Sequence, residues 1–362
     1  MSRAKYYHAL NTISALGPMR IKQIVDHFGS PEKAWKAAPE EFNGINGFGE
    51  GLRSAFFSQR TKTELDKSWN ELLDKGFSVV TLDDINYPPL LREIYDPPPV
   101  LYYSGKLDLF QKPCLAIVGS RRHTLYGKEI AYKFASKLSN YDLTIVSGMA
   151  RGIDTWAHKG VLESGGKTVA VLGCGIDICY PSENSSLKDQ ISKEGAVITE
   201  FPPGTRPLPP NFPRRNRIIS GITIGTLVVE AGEKSGALIT AEFALEQGRD
   251  VFAVPGGIGS PYSRGCHRLI KEGAKLVEKV EDVLEELPSF PESSVYNEKV
   301  ASNESLLDTE ARVLEIIHFE PLELEEIARM SSFAPAQLYA VLLELEIKGI
   351  IRQLPGKFFQ RV

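Results

Sequence analysis

The chain has 362 residues, enough for two or three compact domains. Hydrophobic residues make up 42% and charged residues 24%, which excludes a mostly disordered or collagen-like chain. No apolar run approaches the roughly 20 residues of a spanning helix, and no secretory signal follows residues 1–10. We therefore expect a cytoplasmic protein without a membrane partner. The four cysteines form no CxxC pair, which favours reduced thiols and no metal site.

The charge is distributed unevenly, although the net value is only −4. Residues 286–362 contain 13 acidic and 7 basic residues, whereas the stretch between Glu200 and Glu230 contains four arginines and no acid. A local basic site on a mildly acidic protein indicates an anionic ligand.

Residues 1–75 are predicted to form a small helical module, because apolar residues recur there at helical spacing between glycine-containing turns. Residues 45–52 resemble the turn of helix-hairpin-helix (SAM-like) modules, in which glycines let backbone N–H groups approach a DNA phosphate. Glycine C-caps of a simple packing module explain them equally well. Residues 76–112 read as a connector with short strands at 77–82 and 100–104, separated by prolines that limit helix.

Residues 113–286 alternate short apolar runs with longer helical stretches. The runs are too short for helices and lack polar alternation, as in strands that are buried on both faces. The predicted strands are residues 114–118, 143–146, 168–172, 196–199, 226–229, 250–254 and 274–277. This pattern predicts an α/β fold, a doubly wound, mostly parallel, Rossmann-like sheet with helices on both faces.

Residues 287–305 are rich in Ser, Glu, Pro and Asn and are predicted to be a linker. Helices at 310–317, 322–330 and 335–348, followed by strands at 350–354 and 357–360, predict a winged helix over residues 306–362. The third helix holds Glu344 and Glu346 but only one lysine, whereas a recognition helix that reads duplex DNA is normally basic. We therefore expect this domain to contact protein, or DNA only weakly.

Ligands of an open parallel sheet bind beyond the carboxyl ends of its strands, so the residues that follow each strand form the candidate site. Glycine follows six of the strands, beside cations in three places. Backbone N–H groups and cations in such turns bind phosphate. The candidate residues are Gly119, Ser120, Arg121, Ser147, Gly148, Arg151, Gly152, Lys234, Ser235 and Gly236. Neither GxGxxG nor a Walker lysine is present, so we expect no nucleotide cofactor.

A second candidate segment precedes the strand at 226–229 and contains Arg214, Arg215, Asn216 and Arg217. Because no acid is near them in sequence, we expect the arginines to contact phosphate rather than to pair with acids on a surface helix. Asn216 has an alternative role as a hydrogen-bond partner of a loop backbone.

Asp154 and His158, four residues apart, suit an oriented histidine. A structural pair is the favoured interpretation over acid–base catalysis, because no activated Ser or Cys and no carboxylate pair accompanies them. We therefore predict no catalytic residue and no enzyme.

Together these motifs resemble the DNA-processing protein A family, DprA, also called Smf. The resemblance is dense over residues 113–277, and the flanking modules suit the longer members. It rests on the segments 119–121, 147–154, 175–181, 212–221, 229–231, 234–241, 247–249 and 254–256. Departures occur at Ser182, where several relatives have lysine, and at His267, where we would expect asparagine.

The resemblance implies a non-enzymatic protein that binds and protects incoming single-stranded DNA during natural transformation and loads the recombinase RecA onto it. It also implies a homodimer formed through the Rossmann-like domain, with Arg121 and Lys234 as the best phosphate contacts.

Two other functions are compatible with the same residues. One is a nucleotide-binding hydrolase, because residues 255–260 are similar to the loop of phosphoribohydrolases, although Ser263 stands where that motif requires glutamate. The other is a sensor that binds a free nucleotide and signals through the winged helix.

Overall fold

The structure is a computed structural model that describes residues 3–287, 308–317 and 321–361. The chain divides into two compact units, residues 1–294 and 295–362. The predicted linker at 287–305 lies outside the described residues except for its first position. Among the helices of the described ranges, none has both the length and the apolar character needed to cross a bilayer.

The N-terminal segment is helical, as predicted. Pro18 and Pro31 occupy first turns, where a missing N–H costs nothing, and Gly29 ends the second helix with φ +75°. The helices are α1 (Arg3–Thr12), α2 (Pro18–Phe28), α3 (Pro31–Lys36), α4 (Glu50–Lys62) and α5 (Leu65–Asp74). In the hairpin-like turn, Gln23 Nε2 donates to Asn46 O at 2.6 Å, so the module itself contacts this turn. Contact of the turn with DNA stays a prediction.

A nine-stranded sheet forms the centre of the first unit, with the spatial order β1-β2-β6-β5-β4-β3-β7-β8-β9. Strands β3 to β9 are parallel, while β1 and β2 are antiparallel. The strands are β1 (Ser78–Thr81), β2 (Val100–Gly105), β3 (Cys114–Val118), β4 (Thr144–Ser147), β5 (Thr168–Val171), β6 (Ala196–Thr199), β7 (Gly225–Val228), β8 (Asp250–Ala253) and β9 (Lys275–Leu276). The doubly wound, mostly parallel prediction is confirmed, and the two strands of the connector extend this sheet at one edge.

Helices cover both faces of the sheet. They are α6 (Pro89–Arg92), α7 (Leu125–Ser139), α8 (Ile153–Glu163), α9 (Ser185–Glu194), α10 (Asn211–Gly221), α11 (Gly236–Glu246), α12 (Arg264–Lys271) and α13 (Glu281–Leu284). Every residue of β3 to β7 is buried, which explains why these strands show no polar alternation.

The N-terminal helices pack directly on one end of the sheet. Leu10 of α1 and Phe56 of α4 belong to the same buried cluster as Tyr102 of β2 and Leu172, which follows β5. His8 adds polar contacts, because its Nδ1 lies 2.9 Å from Tyr102 Oη. The helical module and the sheet therefore share one hydrophobic core.

The order of the strands places a crevice between β3 and β7. From β3 the chain winds outward through β4, β5 and β6, and then crosses to β7 on the other side of β3. The loops that follow β3 and β7 consequently leave the sheet in opposite directions, which is the usual position of a ligand site in such sheets.

The second unit is a winged helix, as predicted. Its elements are α14 (Asp308–Ile316), β10 (Leu322–Glu323), α15 (Leu324–Ser331), α16 (Pro335–Ile347), β11 (Ile351–Leu354) and β12 (Phe358–Arg361). A separate core that includes Val313, Leu342 and Phe359 holds it together. The exposed face of α16 carries Tyr339 and Leu343, and the expected weak contact of this domain with DNA stays a prediction.

Candidate functional site

An open groove of about 900 Å³ lies at the carboxyl ends of β3 and β7. Its walls are the loop after β3, the loop after β7, and one side of α10. Eight of the predicted site residues line it: Gly119, Ser120, Arg121, Arg215, Asn216, Lys234, Ser235 and Gly236. The topology thus brings together segments that are more than 100 residues apart in sequence.

Two exposed cations line the groove, Arg121 after β3 and Lys234 after β7. Within the described residues, no carboxylate lies within 4.0 Å of either charged group. Arg121 instead lies over the ring of Phe212, with 5.0 Å between its guanidinium carbon and the ring centroid. Both charges are therefore available to an anionic ligand.

The amino end of α11 forms part of the same wall. Ser235 caps this helix, because its hydroxyl accepts a hydrogen bond from the Ala237 N–H. Asn216 Nδ2 donates to Gly236 O at 3.1 Å, which ties α10 to the start of α11. The alternative role predicted for Asn216 is therefore the one that the structure shows. The partial positive charge of the helix end adds to that of Lys234.

The amino end of α7, where a dinucleotide-binding fold places its pyrophosphate, is already occupied by a carboxylate. Glu230, buried after β7, accepts hydrogen bonds from the Thr124 N–H at 2.9 Å and from Thr124 Oγ1 at 2.5 Å. A Cβ on Gly127 would lie 2.1 Å from Glu230 Oε2, so only glycine fits beside it. A phosphate at this position would meet the negative charge of Glu230, and the available anion site is shifted towards Arg121 and α11.

Arg215 forms the floor of the groove and is only 4% exposed. Its Nη1 donates to Gly148 O at 2.6 Å and to Val171 O, and so it joins the ends of β4 and β5. A Cβ on Gly148 would lie 2.5 Å from this guanidinium group. Burial lowers the pKa of Arg215 to about 10, while the charge of Asp154 raises it. Arg215 thus positions the strand-end loops as well as lining the site.

Arg214 and Arg217 lie outside the groove, because they pair with acids that are distant in sequence. Arg217, 3% exposed, forms ion pairs with Glu200 at 2.7 Å and with Asp96 at 3.1 Å. Arg214 also pairs with Glu200, at 2.9 Å. The expectation that this segment lacks acidic partners was wrong, since the end of β6 and the loop after α6 bring two carboxylates to α10.

Four other candidates shape the loops after β4 without lining the groove. Ser147 is buried and donates to Ile117 O at 2.6 Å. Gly152 has φ +83°, and a Cβ there would lie 2.2 Å from Ser120 O. Arg151 is exposed and pairs with Glu183. Gly148 leaves room for Arg215, as described above. A role of these residues in DNA binding stays a prediction, and Gly152 is the one of the four that packs against the loop that holds Ser120.

Asp154 and His158 do not bond to each other, contrary to the expected pair. Asp154 is buried and accepts from the N–H groups of Gly148 and Ala150, at 3.2 and 3.3 Å. Burial raises the pKa of Asp154, and Arg215 opposes this shift. His158 instead lies 2.7 Å from Thr168 Oγ1. Because Thr168 donates its proton to Ile145 O, His158 Nδ1 is the donor, and its buried Nε2 carries a lone pair without a partner.

This arrangement predicts an acid-sensitive fold. Burial, with a smaller contribution from Arg215, lowers the pKa of His158 to about 3. The unfolded chain takes up this proton near pH 6.5 but the folded chain does not, so stability falls by about 1.4 kcal/mol per pH unit below that point. We would measure the free energy of unfolding in urea at pH 7, 6 and 5. It should fall less steeply with decreasing pH for His158→Gln than for wild type.

The exposed His27 provides the control, because His27→Gln removes a histidine without removing a buried imidazole. Parallel pH dependences for His158→Gln and wild type would contradict the assignment.

Two aromatic side chains that the sequence offers as candidates for base stacking also lie in the groove. Tyr180 and Phe212 line it with ring centroids 5.4 Å apart, and Tyr180 is 38% exposed. From the sequence, packing was the favoured role for both. Their partial exposure beside Arg121 suits stacking of a base. In the described parts of the chain, no three His, Cys, Asp or Glu side chains cluster in a way that could hold a metal ion.

Comparisons with known proteins agree with this geometry. The family model described as DNA recombination-mediator protein A matches residues 78–288, and the one described as DprA winged helix domain matches residues 297–357. The protein Smf of Synechocystis sp. is 36% identical to this chain, over 99% of each chain.

Two solved structures are similar as well. The X-ray structure of DNA processing protein A from Streptococcus pneumoniae has a TM-score of 0.70 and 38% identity, and the match covers 79% of this chain and 98% of that one. A structure of DNA processing protein A from Helicobacter pylori, described for its single-stranded DNA binding mode, has a TM-score of 0.53 and 27% identity. That match covers 58% of this chain and 94% of the other.

Proposed function

Because this chain belongs to the DNA recombination-mediator protein A family, DprA or Smf, we propose that its groove captures single-stranded DNA. The observation that carries the proposal is a pair of exposed cations that line one groove, Arg121 and Lys234, neither of which has an acidic partner among the described residues. Electrostatic capture needs no bond to be broken, and so the proposal assigns no catalytic residue and no cofactor.

The mechanism follows from the groups that line the groove. Arg121, Lys234 and the amino end of α11 contact phosphates, which every sequence presents alike. Tyr180 and Phe212 offer ring faces to unstacked bases, which a duplex keeps inside its helix. The combination favours single strands over duplexes, with little preference for sequence.

A binding comparison tests this proposal. Fluorescence anisotropy of one labelled strand, alone and annealed to its complement, is expected to show tighter binding of the single strand. Free mononucleotides should compete poorly, because each engages one phosphate position rather than several. Equal or tighter binding of the duplex would contradict the proposal, and strong competition by a mononucleotide would favour a nucleotide sensor or hydrolase instead.

We further propose that the captured strand is protected and handed to a recombinase of the RecA type during natural transformation. Support comes from the family description as a recombination mediator and from an open groove, which leaves a bound strand accessible. The rate of RecA filament assembly on a single strand should rise when this protein is added. The Arg121→Ala variant should lose that effect.

A homodimer through the Rossmann-like domain is also proposed, from the family resemblance. Exposed apolar side chains in the region concerned are Leu245 on α11, Ile258 in the loop after β8 and Leu276 of β9. Sedimentation of wild type should show a dimer, and Leu245→Glu should shift it towards the monomer.

The winged helix is expected to contribute little to capture of single strands. Deleting residues 306–362 removes a compact unit with its own core and an acidic charge balance. The truncated chain should keep its affinity within about threefold, or roughly 0.6 kcal/mol. Anisotropy with the same labelled strand measures this directly. A large loss, with an unchanged circular dichroism spectrum of the remaining unit, would show that the winged helix takes part in capture.

A further inference from the structure

A second cationic surface lies beside the groove and is built around one indole ring. This Trp156 patch consists of His123, Lys128, Trp156 and Lys159. The Lys128 ammonium lies 4.4 Å and the Lys159 ammonium 4.6 Å from the centroid of the Trp156 ring. The indole N–H donates to His123 Nε2 at 3.0 Å. The ring is thus fixed from one side and holds two positive charges near each other.

The patch stands on rigid elements. Lys128 lies in the first turn of α7, and Trp156 and Lys159 lie on α8. These two helices pack closely, since a Cβ on Gly160 of α8 would lie 2.4 Å from Tyr132 O of α7. The distance between the two ammonium groups is therefore set by helix packing rather than by mobile loops.

The two lysine charges are not neutralised locally. In the described ranges, no carboxylate lies within 4.0 Å of the ammonium group of Lys128 or of Lys159. Glu163, one turn beyond Lys159 on α8, accepts a hydrogen bond from Tyr132 Oη at 2.6 Å. Both ammonium groups lie within 4.6 Å of the same ring centroid, so the two charges are close enough to attract one anionic strand together.

The patch continues the surface of the groove. His123 directly follows Arg122, which lines the groove, and consecutive Cα atoms are only about 3.8 Å apart. The Trp156 indole N–H donates to this same His123, which ties the patch to the end of the groove. A strand that leaves the groove past Arg122 therefore meets the patch next.

We propose that the Trp156 patch is a second phosphate subsite for single-stranded DNA, one that extends the groove. The inference rests on the proposed function of the groove. Lys128 and Lys159 contact the phosphates, and Trp156 positions both lysines. A mononucleotide bound in the groove is too short to reach the patch, so the subsite serves only longer strands.

The length of the strand distinguishes the patch from the groove. We would measure the affinity of labelled oligothymidylates, from about 4 to about 16 nucleotides, the usual range of site sizes for single-strand grooves. The test variant is Lys128→Ala with Lys159→Ala. The matched control, Lys133→Ala with Lys137→Ala, removes the same charge from exposed positions further along α7.

For the shortest strands, both double variants should bind as tightly as wild type. For the longest, the patch variant should bind roughly tenfold more weakly, as expected for the loss of charge-assisted phosphate contacts. The slope of log affinity against log salt should also be shallower for the patch variant, by about 0.7 for each phosphate contact that is lost. The control should follow wild type at every length.

Three results would overturn the inference. If the patch variant has the affinity of wild type at every strand length while Arg121→Ala binds weakly, the groove binds DNA but the patch is not a subsite. If the control loses as much affinity as the patch variant, general charge explains the loss. If wild type binds no single strand of any length, the proposed function of the groove fails and the subsite fails with it.

Discussion

The double variant Arg121→Ala with Lys234→Ala is expected to bind single-stranded DNA at least a hundredfold more weakly than wild type. A hydrogen bond to a charged group contributes about 1.5–3 kcal/mol, and each side chain supplies at least one to a phosphate. Neither cation has an acidic partner among the described residues, so its removal leaves no buried charge behind and the fold should survive. Fluorescence anisotropy at fixed salt measures the loss.

The loss should be the same for unrelated sequences, because phosphates carry no sequence information. The control variant is Lys112→Ala with Lys167→Ala. It removes two charges just before β3 and β5, at the amino ends of the strands and therefore away from the groove at their carboxyl ends. It should bind nearly as tightly as wild type. A loss confined to one sequence, or an equal loss in the control, would contradict direct contact of Arg121 and Lys234 with the DNA backbone.

The second large effect concerns Arg215. Replacing it by leucine should lower the free energy of unfolding by about 3–5 kcal/mol, because the buried guanidinium donates to two carbonyl groups and supplies positive charge near the buried Asp154. The variant leaves the carbonyl groups of Gly148 and Val171 without this donor, and it leaves Asp154 buried without its counter-charge. Urea unfolding followed by tryptophan emission reports on the first unit, since all three tryptophans lie there.

Asp154→Asn provides the matched test of this explanation. In the Arg215→Leu background, the neutral asparagine removes the uncompensated charge and should recover part of the lost stability. Two results would contradict this explanation. One is a free energy of unfolding of Arg215→Leu within about 1 kcal/mol of wild type. The other is a double variant whose loss of stability equals the sum of the two single losses, because additive losses mean that the two side chains do not interact.

The fold was predictable because its signals are local. The apolar runs of β3 to β7 are buried on both faces and indicate strands in any short stretch of sequence, and α14 and α15 of the winged helix show apolar residues at helical spacing. The same reasoning placed β1 and β2 but could not show that they extend the sheet. Strand pairing such as Tyr103 with Ile198 joins residues that are far apart in sequence.

Site residues were predictable where a strand end determines their position, as for Arg121 and Lys234. The sequence could not show that Glu200 and Asp96 neutralise Arg217, or that Glu230 closes the amino end of α7. Each of these contacts depends on where a side chain from another segment points after folding. The same limit explains why Asp154 and His158, four residues apart on one helix, bond to other partners.

The central claim, electrostatic capture of single strands in the groove, is tested most directly by the salt dependence of affinity. We would measure the anisotropy of a labelled oligothymidylate over a salt series, for wild type and Arg121→Ala side by side. Each phosphate neutralised contributes about −0.7 to the slope of log affinity against log salt, so wild type should show a slope of about −1.4 or steeper. The slope for Arg121→Ala should be shallower than that for wild type by about 0.7. Affinity that is independent of salt, or no binding at low salt, would contradict the account.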